Sequence, residues 1–530
     1  MKSINTIILA CAASLFVSTQ AFAVIDNPVT LAVIGVYNRE LAANPKNYNV
    51  WFKRANEYYR HYEYPKALED VNNALLYAPA SDTDLRFQAY MLRAGIYNQT
   101  DEKQLALSDL NSAIALDPES YAAVYQKANT EFELGNYGQA RLDYQKLQRF
   151  NSRSLEALLG LARCSVKDND LSAANDYLQQ AVEFYPNNAE TYVRRATVRQ
   201  MIGDDNGAIE DLLLALSLDA SDSKAIQHLV EYGNTNYPVT IAGLTNAMNL
   251  APDNGLYRYL RAMIAEAHFN YASAISDFQY IIDNKLYDYH GLNASIARCL
   301  YGLGRYDEAL EQVDTALSQV NDVADYFVLR SKILRALGRN DDAIMASAKA
   351  LAVDPSYAPG LEEMAVNYVD KKDYRQASSL LGEATMTGHA DPSAFLFRGW
   401  ISDKYLRQPK AAKDFYEQSM NVEGYPADNV KSLQGFALLN LGRTDEADAW
   451  MNNILTNVPD NDGLANYYGA CYYTLRGNKD RAIQCVETAL EKGYTDKHNW
   501  LDNNDGQINV SGLRDDKRFA ELLDKYHIKG

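Results

Sequence analysis

Apolar residues recur three and four apart in stretches of about a dozen residues, each followed by a short polar break, so the pattern predicts one amphipathic helix after another. The stretch Phe87–Glu119 shows the unit most plainly, with Tyr90, Arg93-Ala94 and Tyr97 in one half, Ala106, Leu110 and Ala113 in the other, and Pro118 behind Asp117. Small residues let two antiparallel helices approach, large ones fill the space left, and the proline ends the second helix. The unit first appears near Tyr48 and returns, mostly at 34-residue intervals, as far as Gly463. One interval of 39 contains the polar insert Ala80-Ser81-Asp82-Thr83-Asp84, which is expected on a loop.

The punctuation fits a helix-turn-helix repeat. Leu134-Gly135, Leu303-Gly304, Leu337-Gly338 and Leu441-Gly442 place a glycine where the first helix must reverse, a site that favours left-handed backbone. Together with the recurrent alanines (Ala67, Ala106, Ala140, Ala174 and their successors) these features resemble the tetratricopeptide repeat family. The resemblance implies an all-α, right-handed superhelical solenoid of about 13 helix-turn-helix repeats with a capping helix at each end. On this reading residues 24–47 form the N-terminal cap, 48–220 repeats 1–5, 221–254 a degenerate repeat 6, 255–496 repeats 7–13, and 497–530 the C-terminal cap. In the sixth unit Gly233, Pro238 and Thr240 replace helix-forming and alanine positions, which leaves two readings: a bend in the array, or tolerated drift. In the cap, Trp500-Leu501 and a final helix around Arg514-Asp515-Asp516 and Phe519 are expected to cover the last apolar face, as a solenoid requires.

Charge narrows the function. With 51 Lys+Arg against 69 Asp+Glu the formal charge is -18, which opposes binding to nucleic acid and to anionic lipid. Residues 1–23 stand apart: Lys2, an apolar run from Ile7 to Val17, and Ala21-Phe22-Ala23 make a signal-peptide pattern, with cleavage expected after Ala23. The competing reading, a lipid-anchored Cys11 after Ile8-Leu9-Ala10, leaves little room for a hydrophobic region. No other run suffices for a transmembrane span. The expected location is the bacterial periplasm, with a eukaryotic secretory compartment left open.

One correlation exceeds the repeat pattern. A basic residue before the small position of a first helix is followed sixteen residues later by aspartate in Arg54/Asp70, Arg93/Asp109, Lys127/Asp143, Arg195/Asp211, Arg261/Asp277 and Arg398/Asp414, with Arg330, facing Ala346, as the exception. An ion pair between the two helices of one repeat explains the coupling; a ligand-binding charge ladder is the alternative. Among the cysteines, Cys471 and Cys485 fall in the two helices of the final repeat, where either a disulfide or ordinary core packing is compatible with the spacing. There is no CxxC and no paired His, so neither a metal nor any other cofactor is expected. The 502–508 stretch lacks carboxylates at the first and twelfth positions of a calcium loop, and Ser221-Asp-Ser-Lys224 lacks the companions of a penicillin-recognising SxxK. No catalytic constellation is visible, and the chain is expected not to be an enzyme.

The resemblance also implies where a partner binds. In the family, first helices line a concave surface, and the corresponding positions here are Phe52, Asn56, Tyr59, Tyr125, Asn129, Phe132, Arg163, Tyr259, Met263, Arg298, Tyr301, Lys332, Arg335, Trp400, Phe436, Tyr467 and Tyr468. Aromatic residues with polar tips suit recognition of a protein or peptide, although packing between repeats would use the same residues. The family's carboxylate clamp is not matched: Asn56 fits, but Phe52, Leu92, Ala122 and Gln126 do not. The expected function is an exported scaffold or adaptor for protein–protein interaction. The alternatives are a glycan- or nutrient-binding component of an outer-membrane uptake complex and, without sequence support, an enzyme built across repeats.

Overall fold

The computed structural model describes residues 28–287, 289, 291–387, 392–421, 428–502 and 508–528. The expected signal peptide, its cleavage site and Cys11 lie outside these residues, as does most of the 502–508 turn. The described chain is all-helical, with no strand. After the helix Pro28–Ala43 come thirteen helix pairs, numbered here in chain order from Tyr48–Arg60/Tyr64–Tyr77 to Leu464–Leu475/Lys479–Glu491. A short helix, Lys517–Lys525, follows. The residues form two compact units, one extending to Leu229 and one running from Val230 onward, each taken by itself below.

Every pair but the sixth, where Thr240 takes the place, is closed by alanine. Ala67, Ala106, Ala140, Ala174, Ala274, Ala309, Ala343 and Ala377 are all fully buried between helices, where a larger side chain would overpack by about 1–3 kcal/mol. In eleven of the thirteen pairs three residues link the helices and the middle one has positive φ. Glycine holds that place in six of them, but Tyr62, Asp101, Asn169, Phe269 and Lys372 hold it in five. The turn is therefore set by the packing of the helices, and glycine only lowers its cost.

The structure differs from the expected pattern at two further places. The insert after the first pair is not wholly loop: Asp82 accepts a hydrogen bond from the Leu85 amide at 3.1 Å, and this N-cap draws Thr83 and Asp84 into the helix Thr83–Gln99. In the sixth pair, Ser223–Thr235 and Tyr237–Leu250 are joined by Asn236 alone. Pro238 sits in the first turn of its helix, where its missing N–H costs nothing, and the buried Thr240 hydroxyl donates to the Asn236 carbonyl at 3.1 Å.

Five of the six expected ion pairs form. Arg54, Arg93, Arg195 and Arg261 each grip their aspartate through two nitrogens at 2.5–2.8 Å, and Lys127 reaches Asp143 at 2.7 Å. The same guanidiniums also reach back to the preceding second helix, or to the first helix of the described chain: Arg54 to Asn38 (2.5 Å), Arg93 to Asn72 (2.7 Å), Arg195 to Gln179 (2.5 Å) and Arg261 to Thr245 (2.9 Å). Arg330, with no aspartate ahead, pairs backward with Asp314 at 2.6 Å. Arg54, Arg93, Arg195 and Arg261 thus each tie three helices together.

The sixth pair, Arg398/Asp414, does not form. The eleventh pair, Pro392–Lys404/Pro409–Met420, has a link one residue longer, 405–408, which advances the second helix by one position. Asp414 is turned to solvent, and Phe415 lies under the Arg398 guanidinium with its ring centroid at 4.2 Å.

The cysteines of the described chain, Cys164, Cys299, Cys471 and Cys485, are free thiols buried in the core, and burial pushes the Cys485 thiol up to about 12. At the C-terminal end Trp500, Leu513, Phe519 and Leu523 are buried against the last pair. Arg514, Asp515 and Asp516 precede the final helix rather than lying within it, and Asp516 caps it by accepting from the Arg518 amide at 3.0 Å.

Candidate functional site

In the unit extending to Leu229, the first helices of pairs 1, 2 and 3 line a groove of about 450 Å³. Phe52, Asn56 and Tyr59 come from the first helix, and Phe87, Gln88, Met91, Leu92 and Gly95 from the second; the third gives Gln126. Helical periodicity places these residues together, since both sets recur three and four apart. Gly95 leaves room for the Tyr59 ring: a Cβ there would lie 3.4 Å from the Tyr59 hydroxyl. Every lining residue is uncharged, which suits the failed match to a carboxylate clamp.

Hydrogen bonding in the groove is incomplete. Asn56 Nδ2 donates to the Phe52 carbonyl at 2.9 Å. Gln126 Oε1 is shut off from solvent and accepts no hydrogen bond. Such an orphaned acceptor costs about 1–3 kcal/mol, and a turn of the Gln126 side chain toward the groove would offer it to an entering N–H donor. Phe87, Gln88 and Met91 were not among the expected partner-binding residues; their helical spacing from Leu92 and Gly95 was the available signal.

Tyr125, Asn129, Phe132 and Arg163 form a neighbouring group with a different use. The Arg163 guanidinium stacks over Phe132 at 4.0 Å, and Phe132 packs on Tyr137 at 5.1 Å. Asn129 accepts a 2.6 Å hydrogen bond from the buried Tyr144 hydroxyl, so its amide holds the fold together. Burial raises the Tyr144 pKa above the ordinary tyrosine range.

In the unit from Val230 onward the expected groove positions are largely engaged by the chain itself. Tyr259 is enclosed by Tyr287 and Tyr289, with ring centroids at 5.1 and 5.3 Å, and burial raises its pKa. Met263 packs against the core. Arg298 donates to Glu266 and Ser295 at 2.8 Å; burial works against its charge, but Glu266 and Asp325 outweigh burial and its pKa ends up raised. Arg335 lies 3.4 Å from Glu363 in a buried network with Ser331 and Asn367. Trp400 stacks on Phe397 and meets Tyr405 edge-on. Lys332 is exposed and Tyr468 half-buried.

Two candidates are corrected outright. Phe436 is 0% exposed and Tyr467 3% exposed, packed against Tyr472 and Trp500 respectively, so both are core residues. Tyr301 is covered by the C-terminal segment: its hydroxyl meets His498 Nε2 at 2.8 Å, while Tyr306 meets His498 Nδ1 at 2.8 Å. Nearby, Tyr271 donates to Asp496 at 3.0 Å and Thr495 to the Phe269 carbonyl at 2.9 Å. Of the expected partner-binding residues, the structure gathers Phe52, Asn56 and Tyr59 into a groove, and uses most of the others for packing or ion pairing.

Among the described residues no three His, Cys, Asp or Glu side chains are grouped to hold a metal, and no helix is long and apolar enough to cross a membrane.

The fold is thus a stack of antiparallel helix pairs closed by alanine and three-residue turns, with a neutral groove on successive first helices. Two segments, residues 125–189 and 295–359, match the family profile described as "Tetratricopeptide repeat". The chain is a tetratricopeptide-repeat protein. It is similar to DnaJ homolog subfamily C member 3 of Bos taurus, 21% identical over 351 residues, covering 62% of this chain and 64% of that protein. A shorter stretch of 70 residues is 39% identical to tetratricopeptide repeat protein 36 of Danio rerio, covering 13% of this chain and 37% of that one. The chain therefore spans less than two thirds of either relative. Among solved structures, yeast Tom70 aligns with 77% of this chain and 97% of its own, at 14% identity and a TM-score of 0.36.

Proposed function

We propose that the protein is a non-catalytic scaffold that works after export, as a bacterial periplasmic adaptor released by cleavage near Ala23, and that it holds an extended, uncharged stretch of a protein partner in the groove of its first three helix pairs. The observation that carries this reading is the groove lining: aromatic and apolar side chains from Phe52 to Leu92 beside the orphaned acceptor Gln126 Oε1. A peptide backbone offers N–H donors at regular spacing, and its apolar side chains would cover Phe52, Tyr59, Phe87 and Met91. Because rigid helix pairs preform the groove, binding requires little ordering of the receptor.

The test is crosslinking and capture in the native compartment with the full chain and with the triple variant Phe52→Ala, Tyr59→Ala, Met91→Ala. A defined partner that is captured by the parent and lost from the variant, with helicity unchanged by circular dichroism, is the expected result. Capture of the same partners by both chains would overturn the groove reading. Capture of none, with a sugar that raises the unfolding temperature of the parent alone, would shift the assignment to a glycan-binding component of an uptake complex. N-terminal sequencing of the exported protein should begin at Val24; a lipidated Cys11 would replace that assignment.

A further inference from the structure

The eleventh helix pair contains a cation whose usual partners are missing. In five of its sister pairs the equivalent base is met by a buried aspartate ahead and, for the four arginines among them, by an amide or hydroxyl behind. For Arg398 both are gone. The longer 405–408 link puts Phe415 where the aspartate would stand, and the place sixteen residues behind is Gly382, where a Cβ would come within 2.7 Å of a terminal guanidinium nitrogen. Gly382 therefore lets the guanidinium lie close against the neighbouring helix while supplying no side-chain oxygen.

Among the described residues nothing else fills the gap. Arg398 Nε is closed off from water and makes no hydrogen bond, and no carboxylate among the described residues lies within ion-pair distance of it. Burial, with no compensating charge, lowers its pKa. Two hydroxyls of the same helix pair are buried and equally unpartnered: Ser402 Oγ, one turn further along the face that carries Arg398, and the hydroxyl of Tyr416, whose ring packs against Gly399. A partly buried guanidinium stacked on an aromatic ring is held flat, with its edge presented for two-point contact with a planar oxyanion.

The geometry points to an anion site at Arg398 that takes a carboxylate from outside the chain, in the place its sister repeats fill with their own aspartate. The carboxylate comes either as a small free acid or as an acidic side chain of a partner. This site lies in a different unit from the groove and stands independently of it.

The experiment follows the Arg398 Nε–Hε resonance of the full chain, assigned by its loss in Arg398→Gln, through titrations with sodium acetate and with sodium chloride at matched ionic strength. A saturating shift with acetate that chloride does not reproduce is expected. Phe415→Asp supplies the carboxylate in cis and should abolish the shift. Phe415→Leu removes the ring without adding charge and should keep the response, so misfolding can be told from occupancy by comparing the circular dichroism of the two. If acetate saturates the site and Phe415→Asp captures the same proteins as the parent, the natural ligand is a small acid. A protein captured by the parent and by Phe415→Leu but not by Phe415→Asp makes it an acidic side chain. Equal shifts with acetate and chloride, or an undiminished acetate shift in a folded Phe415→Asp, would overturn the proposal.

Discussion

Asp211 is fully buried and takes two hydrogen bonds from Arg195, which is itself nearly buried, and a third contact from Arg199 at 3.1 Å. Removing the carboxylate leaves the nearly buried Arg195 without an ion-pair partner and Arg199 with only Asp204, 3.5 Å away. Asp211→Ala should therefore cost about 3–5 kcal/mol, in the range for one-sided loss of a buried pair. The Arg330–Asp314 pair is half-exposed, so Arg330→Ala should cost less than about 1 kcal/mol. Hydrogen exchange over 189–218 and over 324–353 would read each loss where it occurs; equal protection losses would remove the distinction between buried and exposed pairs. The forward half of this ladder was legible because both partners sit in one repeat and keep the same residue types. The backward half was not: Asn38, Asn72, Gln179, Thr245 and Asp314 are chemically different acceptors on a neighbouring helix, and no single-letter correlation marks them. Arg398 escaped for a third reason, since one extra residue in a link changes which side chain faces it without changing the spacing in sequence.

Helices meet closely where glycine replaces a side chain on the contact. At Gly160 a Cβ would stand 2.3 Å from the Tyr144 ring, whose hydroxyl is fixed by Asn129. Gly160→Ala must displace Tyr144, and a destabilisation of about 1–3 kcal/mol is expected from overpacking, with protection lost along Tyr137–Phe150 and Leu155–Lys167 together. A wild-type denaturation midpoint would show that the ring can move freely. The turns give the opposite case. Lys372 is exposed and holds φ 62° in a link where six sister repeats use glycine. Left-handed backbone costs about 1–2 kcal/mol for a residue with a Cβ, while glycine loses roughly 0.5–1 kcal/mol more than alanine through its entropy. Lys372→Gly should therefore raise stability slightly, by up to about 1.5 kcal/mol on those two figures, and a lower midpoint would mean that the lysine makes a contact worth more than the strain. Helix starts from Tyr48 to Leu464 follow the written period, because alanine and proline recur at fixed offsets. Thr83 departs from it because a single N-cap bond at Asp82 outweighs the repeat phase.

At the largest scale, the segment after the thirteenth pair of the unit from Val230 onward returns to pairs 7 and 8, more than 190 residues back. Phe269, in the left-handed conformation at φ 57°, packs against Tyr494 at 4.5 Å, Thr495 binds its carbonyl, and His498 bridges Tyr301 and Tyr306. Nothing in the period of the sequence announces this closure, since it joins residues of different repeats through side chains that each look like ordinary aromatic positions. It carries a titratable group. Asp496 is buried, and burial pushes its carboxyl from an ordinary 3.8 up to about 6, against the Asn499 amide and the Tyr271 hydroxyl, which favour the charged form. A raised acid pKa means that the folded state holds the proton more tightly than the unfolded chain. Its contribution is therefore complete below about 3.8 and is lost as pH rises through about 6, a swing of up to about 3 kcal/mol. Other carboxylates titrate oppositely, Asp448 being held below its usual range by Arg476, so the effect is read as a difference between two chains. Urea midpoints of the parent and of Asp496→Asn, measured from pH 4 to 7.5, should separate across that window, with the parent losing ground as pH rises. Parallel curves would mean that Asp496 is solvated or ionised throughout, and that the return contact rests on its aromatic and backbone interactions alone.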